Sequence, residues 1–443
     1  MSHVLPRGVW LAVAAGLVAR LVFGLAYWVD KPLTHDEREY LLLAHNVAAG
    51  RGFAYVLADG SPAPGEHFGR APAYPAFLAG LVAATGSRLA PGTGDTGVPV
   101  SNTGRLVTAI KIAQSLIGAA IIWLVARIAL GTAGPRAATA AAWIAACYPP
   151  LVWMPAYVFS ETLYGVLALG CAACLDASLP DGGGLPFGTP GAGRRVLAAG
   201  ALAGLGVLTR PVMLFFVLLA VPWLWRARGI RAAAAFATVA LLVVSPWTAR
   251  NVAAYGRFVL VASEGGITFW TGNHPLAIGE GDMAANTEIK RANIGFRARH
   301  AGLSPEALEP LYYREALDWI SANPGAAAAL VARKAFYSVV PVGPSYRLHS
   351  PLYFWASVIA YLSLLPFAIA GFVAAAGRAP AARPLLLMAL ASLAVCLIFF
   401  PQERFRIPVI DPALVVCAAA WWAARRTARR QVRGGAAGAE ASV

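Results

Sequence analysis

Asp36, Glu37 and Glu161 are the side chains of this sequence best placed to move a proton beside a membrane. The tripeptide His35-Asp36-Glu37 follows the first hydrophobic stretch of a 443-residue chain that otherwise avoids acid, with 21 Asp plus Glu against 36 Lys plus Arg. Carboxylates at a bilayer rim are costly to place and mark functional sites. An ionised carboxylate at the water–lipid boundary can take a proton from an acceptor hydroxyl as a bond to oxygen forms. If the reacting centre is a sugar carbon, its oxocarbenium-like transition state also gains from nearby negative charge. The plainer alternative is a solvated helix start, with Glu39 as one more surface acid. Glu161 sits a few residues inside another apolar stretch, where a lone Glu should face the bundle interior or a wet cavity; the alternative is a carboxylate at headgroup level.

A lipid phosphate leaving group would need cations, and arginine offers paired donors for it. Arg404 and Arg406, two apart between the last two apolar stretches, are the first candidates, with lipid-headgroup pairing as the alternative. Arg210 and Arg250 are weaker versions of the same idea. Lys111 and Gln114, three apart, share a helix face. Lys111 either contacts a phosphate or snorkels outward, and Arg20 poses the same choice. Glu66, His67 and His274 are weak metal candidates, because their spacing matches no metal motif; a divalent metal is possible and no cofactor is implied with certainty. Cys171 and Cys174 form a CxxC among apolar neighbours and read as buried small residues.

The elements that must position these groups are membrane helices. Hydrophobic residues make up 58% of the chain and charged residues 13%, about half the usual fraction for soluble domains. The net charge of +15 lies largely in short loops and in a tail carrying Arg425, Arg426, Arg429, Arg430 and Arg433. That is the positive-inside bias, which suits anionic lipids and does not point to nucleic acid. Apolar stretches predict about ten spans, at 8–29, 104–130, 137–154, 157–176, 195–210, 211–226, 232–249, 351–376, 384–400 and 408–424. Both termini then lie inside, and residues 30–103 and 250–350 form long outer loops. The first loop predicts an amphipathic helix over 39–49, closed by Gly50, and an apolar helix over 72–85 too short to span. The second predicts a helix from Ser304-Pro305-Glu306 to about Ile320, then an interfacial helix over 325–340. Gly200 and Gly204 form a GxxxG suited to close helix packing. Residues 1–424 read as one all-α membrane domain and 425–443 as a cytoplasmic basic tail.

An ordered set of motifs carries a family resemblance. It runs Asp36-Glu37 with Tyr40 and Ala44, Arg70-Ala-Pro-Ala-Tyr74-Pro75, Ser160-Glu161, and Leu208-Thr209-Arg210-Pro211. Then come Pro246-Trp247-Thr248-Ala249-Arg250-Asn251, Gly272-Asn273 and Glu403-Arg404-Phe405-Arg406-Ile407-Pro408. The chain resembles the GT-C glycosyltransferases that use polyprenyl-phosphate sugars, in the branch of protein O-mannosyltransferases and aminoarabinose lipid A transferases. The resemblance implies an inverting transfer on the outer face of a bacterial cytoplasmic membrane, from a polyprenyl-phosphate sugar to a hydroxyl- or amine-bearing acceptor. It implies Asp36 as base, Glu37 and Glu161 in support, and Arg70, Tyr74, Lys111, Arg210, Arg250, Asn273, Arg404 and Arg406 around the substrates. The chain departs from the family in being short, with no added C-terminal soluble domain and without the extra late spans of the lipid A transferases, which bears on the acceptor. The alternative is a transporter or flippase of lipid-linked sugars, which would place its ionisable groups near the bilayer midplane.

Overall fold

A computed structural model describes residues 4–63, 67, 69–89, 103–178, 191–344, 350–375 and 383–440. Helix dominates them, and the extended pairing among them is an isolated antiparallel bridge between Val56 and Pro62. Helix α1 (Arg7–Val22) continues through a wider turn to Tyr27. It packs along α4 (Arg105–Cys147). Helix α4 is two helices joined end to end: Ala133 and Gly134 leave helical geometry, with Gly134 at φ +81, and Pro135 restarts the run. The break falls where the apolar pattern predicts one span to end and the next to begin. Among the described residues, four helical segments are long and apolar enough to cross a membrane, Arg7–Tyr27, Arg105–Cys147, Ile230–Tyr255 and Pro351–Val373.

Between α1 and α4 lie α2 (His35–Ala48) and α3 (Ala73–Thr85), both within the long loop 30–103. After α4 come a single turn, α5 (Pro149–Trp153), then α6 (Glu161–Ser178), α7 (Ala192–Thr209), α8 (Met213–Arg228) and α9 (Ile230–Tyr255). The expected span over 137–154 stops at Cys147, and the expected helix over 157–176 begins only at Glu161. Pro149, Pro150 and Pro155 interrupt the backbone between them, since proline lacks the N–H that a continuous helix needs. The GxxxG packs as the small residues suggest. A Cβ at Gly200 would fall 2.7 Å from the Phe236 carbonyl oxygen of α9, and one at Gly204 2.8 Å from that of Ala240. Alanines do the same on α4, where Ala137, Ala138, Ala141, Ala142 and Ala145 are fully buried.

The long segment after α9 holds α10 (Gly265–Gly272), α11 (Thr287–Arg299), α12 (Pro305–Ala322) and α13 (Pro324–Val339). Ser304 caps α12 through its side chain, and Asn323-Pro324 separates α12 from α13, as the sequence predicts. Trp270, Ile289, Phe296, Leu308 and Tyr312 give this region its own small core. The chain closes with α14 (Pro351–Ala375), α15 (Arg383–Ile398), a short turn α16 (Glu403–Arg406) and α17 (Ile410–Glu440), the last packing on α4 and α14.

Glu309 of α12 sets a pH dependence for the second loop. Burial raises its carboxyl to about 7, although the Gly266 and Gly265 amides donate to it and work the other way. A carboxyl raised in the folded state contributes stability below its unfolded value near 4.5, and that contribution is lost as pH climbs toward 7. Amide protection factors over residues 259–322, taken relative to the intrinsic exchange rate at each pH, should therefore be higher at pH 5 than at pH 8, and Glu309→Gln should flatten the difference. Equal protection at both pH values in the native protein would contradict this assignment.

Candidate active site

The acidic tripeptide opens a helix. Thr34 caps α2, its side chain accepting from the Glu37 amide at 3.4 Å, while Glu37 Oε2 accepts from the Thr34 amide at 2.7 Å. This capping box starts the helix four residues ahead of the expected Glu39. It also fixes the work of Glu37. Its second oxygen accepts from the Val158 amide at 2.9 Å, and the residue is 3% exposed. Burial raises the Glu37 carboxyl, against the Thr34 and Val158 amides. Both oxygens are committed to backbone, so Glu37 ties α2 to the segment leading into α6.

Asp36 points the other way. Arg70 Nη2 donates to its Oδ1 at 2.7 Å and Arg404 Nη1 to its Oδ2 at 2.7 Å. Burial pushes the Asp36 carboxyl up, but the two guanidiniums outweigh it and hold the group well below the usual carboxylate range. Its side chain is 25% exposed, whereas Arg70 is 9% exposed. Arg70 also donates to Glu39, through Nε at 2.8 Å and a second contact from Nη2, and to Glu264 Oε2 at 3.0 Å. Burial alone would lower the Arg70 guanidinium; Glu39, Asp36 and Glu264 raise it well above its ordinary value. Arg70 is thus a fixed cation that orients Asp36.

A second ion pair lies alongside. Glu161, the first residue of α6 and 1% exposed, sits 2.7 Å from Arg210 Nη1 and 3.9 Å from Arg404 Nε. Arg210 also donates to Ser160 Oγ at 3.1 Å. Arg210 stacks on Phe405, and Arg404 lies over Phe159 and Phe405. Arg404 is therefore shared by the two carboxylates, and at 32% side-chain exposure it is the most open of these three arginines. Burial works to lower its guanidinium, and Asp36 and Glu161 raise it. Tyr74, buried, edges onto Tyr40 and donates to Gln114 Oε1 at 3.0 Å, which backs α2 from behind.

The remaining sequence candidates are placed elsewhere. Arg406 turns away from Arg404 and pairs through Nε with Asp411 at 2.9 Å, beneath the ring of Tyr361. Lys111 donates to the Trp28 carbonyl at 2.7 Å, and it is buried and does not snorkel. Arg250 stacks on Trp247 and Tyr255 and donates to the Asn251 side chain at 3.1 Å. Asn273 accepts from Lys334 Nζ at 2.9 Å and donates to the Phe269 and Ile398 carbonyls. Lys334 is fully buried, and burial pushes its ammonium down to about 8. Of the metal candidates, Glu66 lies outside the described residues. His67 stacks on Tyr55, 3.7 Å from Glu39, and His274 packs on Trp270. Among the described residues no three His, Cys, Asp or Glu side chains gather as a metal site would require. Glu39 and Glu264, which the sequence reading did not select as site residues, join the cluster through Arg70.

No known protein-family model matches the chain, and no curated protein is detectably similar. Solved structures are. The oligosaccharyltransferase of Archaeoglobus fulgidus in its apo form aligns with a TM-score of 0.55 at 15% identity, over 96% of this chain and 51% of that one. AglB from the same organism, in complex with an inhibitory peptide and a dolichol-phosphate, aligns with a TM-score of 0.53 at 14% identity, over 96% of this chain and 51% of that one. ArnT from Cupriavidus metallidurans bound to undecaprenyl phosphate gives a TM-score of 0.42 at 15% identity, over 94% and 77% of the two chains. This chain spans about half the length of the oligosaccharyltransferases it matches. The described residues thus share the fold of the Archaeoglobus fulgidus oligosaccharyltransferases, with several helices long and apolar enough to cross a membrane.

Proposed function

We propose that a chain with this fold and a carboxylate clamped between two arginines is a membrane glycosyltransferase. It moves a sugar from a polyprenyl-phosphate donor to a hydroxyl- or amine-bearing acceptor on the extracytoplasmic face of a bacterial cytoplasmic membrane. The observation that carries this reading is Arg404, an open cation shared between Asp36 and Glu161. A donor phosphate is the natural competitor for it, since guanidinium binds phosphate as readily as carboxylate.

In the resting arrangement both Asp36 oxygens accept charge-assisted hydrogen bonds, which makes the carboxylate a weak base. Donor phosphate arriving at Arg404 and Arg210 draws Arg404 away. Oδ2 of Asp36 is then free to accept the acceptor's proton. The acceptor oxygen or nitrogen attacks the anomeric carbon from the side opposite the phosphate, so the centre inverts. The carbon–oxygen bond to phosphate breaks with its electron pair going to the phosphate, and the acceptor proton goes to Asp36. The phosphate gains one negative charge as it leaves, and Arg404 and Arg210 meet it. Arg70 keeps Asp36 oriented throughout. Purified protein given a radiolabelled polyprenyl-phosphate sugar in detergent or vesicles should release polyprenyl phosphate and label an acceptor. Movement of the intact lipid-linked sugar across vesicles without bond cleavage would instead establish a flippase.

The reading includes about ten spans with both termini cytoplasmic and residues 30–103 and 250–350 outside. In a cysteine-free background, Ala58→Cys should react with an impermeant maleimide added to intact cells, and Ala436→Cys only after permeabilisation. Labelling of both from one side would refute this topology.

A further inference from the structure

Arg20 is a charged residue in the last turn of α1, 1% exposed, and the proposed mechanism does not use it. Its guanidinium has a structural task. Nη1 donates to the Gly16 carbonyl at 2.8 Å, and Nη2 to the Ala145 carbonyl at 3.1 Å. Ala145 belongs to the last turn of α4, where carbonyls have no helical partner. This accounts for the two Nη groups and leaves Nε, which is buried and has no hydrogen-bond partner. The Thr162 hydroxyl, on α6 and 3% exposed, is in the same position. Both residues line one small cavity of about 10 Å³, and Glu161 lines it with them. Gly118 of α4 keeps the space open: a Cβ there would fall 2.8 Å from Arg20 Nε.

We propose that this cavity is a binding site for one ordered water, which joins Arg20 and Thr162 to the Glu161 carboxylate and makes Arg20 a positioning residue for the active site. The volume suits a single water, and three polar neighbours are what a buried water ordinarily satisfies. The water accepts from Arg20 Nε–H, pairs with the Thr162 hydroxyl and donates to Glu161. Glu161 is thereby linked through the water to a cation on α1, while Arg210 pairs with it directly. The chemistry excludes an apolar occupant, because a buried guanidinium N–H facing carbon would lose its solvation without replacement. It also disfavours a metal ion, because the arginine already supplies the positive charge.

The kinetic half of this inference rests on the glycosyltransferase reading; the water itself does not. In a map of the full-length protein that resolves ordered solvent, one water should appear between Arg20, Thr162 and Glu161, and Gly118→Ala should remove it. A dry cavity in the unmutated protein would overturn the proposal, whether or not the protein proves to transfer sugar. Thr162→Val keeps the shape and removes one partner. It should lower kcat about five- to tenfold with KM for donor nearly unchanged, and Thr162→Ser should restore the rate. A purely packing role predicts the reverse, with valine tolerated and serine harmful. Unchanged kcat in Thr162→Val, with the water still visible, would remove Arg20 from the active site's support.

Discussion

Asp36→Asn should lower sugar transfer by ~10²–10⁴-fold, the range lost with a positioned general base, and should at the same time bind polyprenyl phosphate more tightly than the native protein. The first effect follows from the role assigned to Asp36. The second follows from the ion pair that occupies Arg404 at 2.7 Å in the resting site. An amide cannot hold a guanidinium as a carboxylate does, so Arg404 is released to the phosphate. A charge-assisted bond of ~1.5–3 kcal/mol no longer has to be broken on binding, which corresponds to about tenfold or more in affinity. Folding should be retained, because Arg70 keeps Glu39 and Glu264 as counter-charges. Titration of polyprenyl phosphate by intrinsic fluorescence, alongside turnover, separates the two effects. An inactive variant with weakened carrier binding would show that Arg404 does not exchange partners, and near-normal turnover would end the case for Asp36 as base.

Arg404 and Arg406 should fail in different ways. Arg404→Ala should cost ~10- to 100-fold in kcat/KM, mostly through the donor, while melting near the native temperature. Arg404→Lys should recover only part of this, lacking the paired donors. Arg406→Ala strands Asp411, which is fully buried. Leaving a buried charge without its partner costs ~3–5 kcal/mol, so the expected result is poor yield and a lowered melting temperature. If their pairing is the whole role of these two residues, the double variant Arg406→Met with Asp411→Leu should recover yield, and with it activity. A well-folded Arg406→Ala protein with a specific donor defect would place Arg406 at the phosphate after all.

These two arginines also show how much of the site was legible in the sequence. Their i, i+2 spacing and position between apolar stretches mark both as outer-loop cations, but spacing cannot say which way each side chain turns. The turn α16 sends one to Asp36 and the other to Asp411. Asp36, Arg70, Glu161, Arg210 and Arg404 were all picked from motif order, and the fold gathers them. Glu37 was misleading because adjacency to Asp36 suggested shared chemistry, whereas Thr34 three residues before it was a readable capping signal. Glu39 carried a signal too, three residues after Asp36 and so on the same helix face. Glu264 carried none: its contact with Arg70 spans 194 positions, and an isolated Glu before two glycines looks like any loop acid. Helix class and α2, α3, α12 and α13 follow from hydropathy and caps, whereas α10 and α11 carry no such expectation. The interruption at 148–160 was obscured because its residues are apolar on both sides of the prolines.

The Asp36–Arg404 contact joins residues 368 positions apart. On the proposed topology, residues 30–103 reach the far side of the membrane during synthesis long before the segment carrying Arg404 leaves the ribosome. Throughout that interval Asp36 has Arg70 but not Arg404, and the side of the site proposed to take phosphate does not exist. On the proposed function, the chain cannot engage lipid-linked sugar until almost all of its helices have been inserted, and completion of the site coincides with completion of the bundle. Truncation anywhere before residue 404 yields a protein that can be membrane-bound and helical yet catalytically silent, which makes the last ion pair to form a natural checkpoint on assembly.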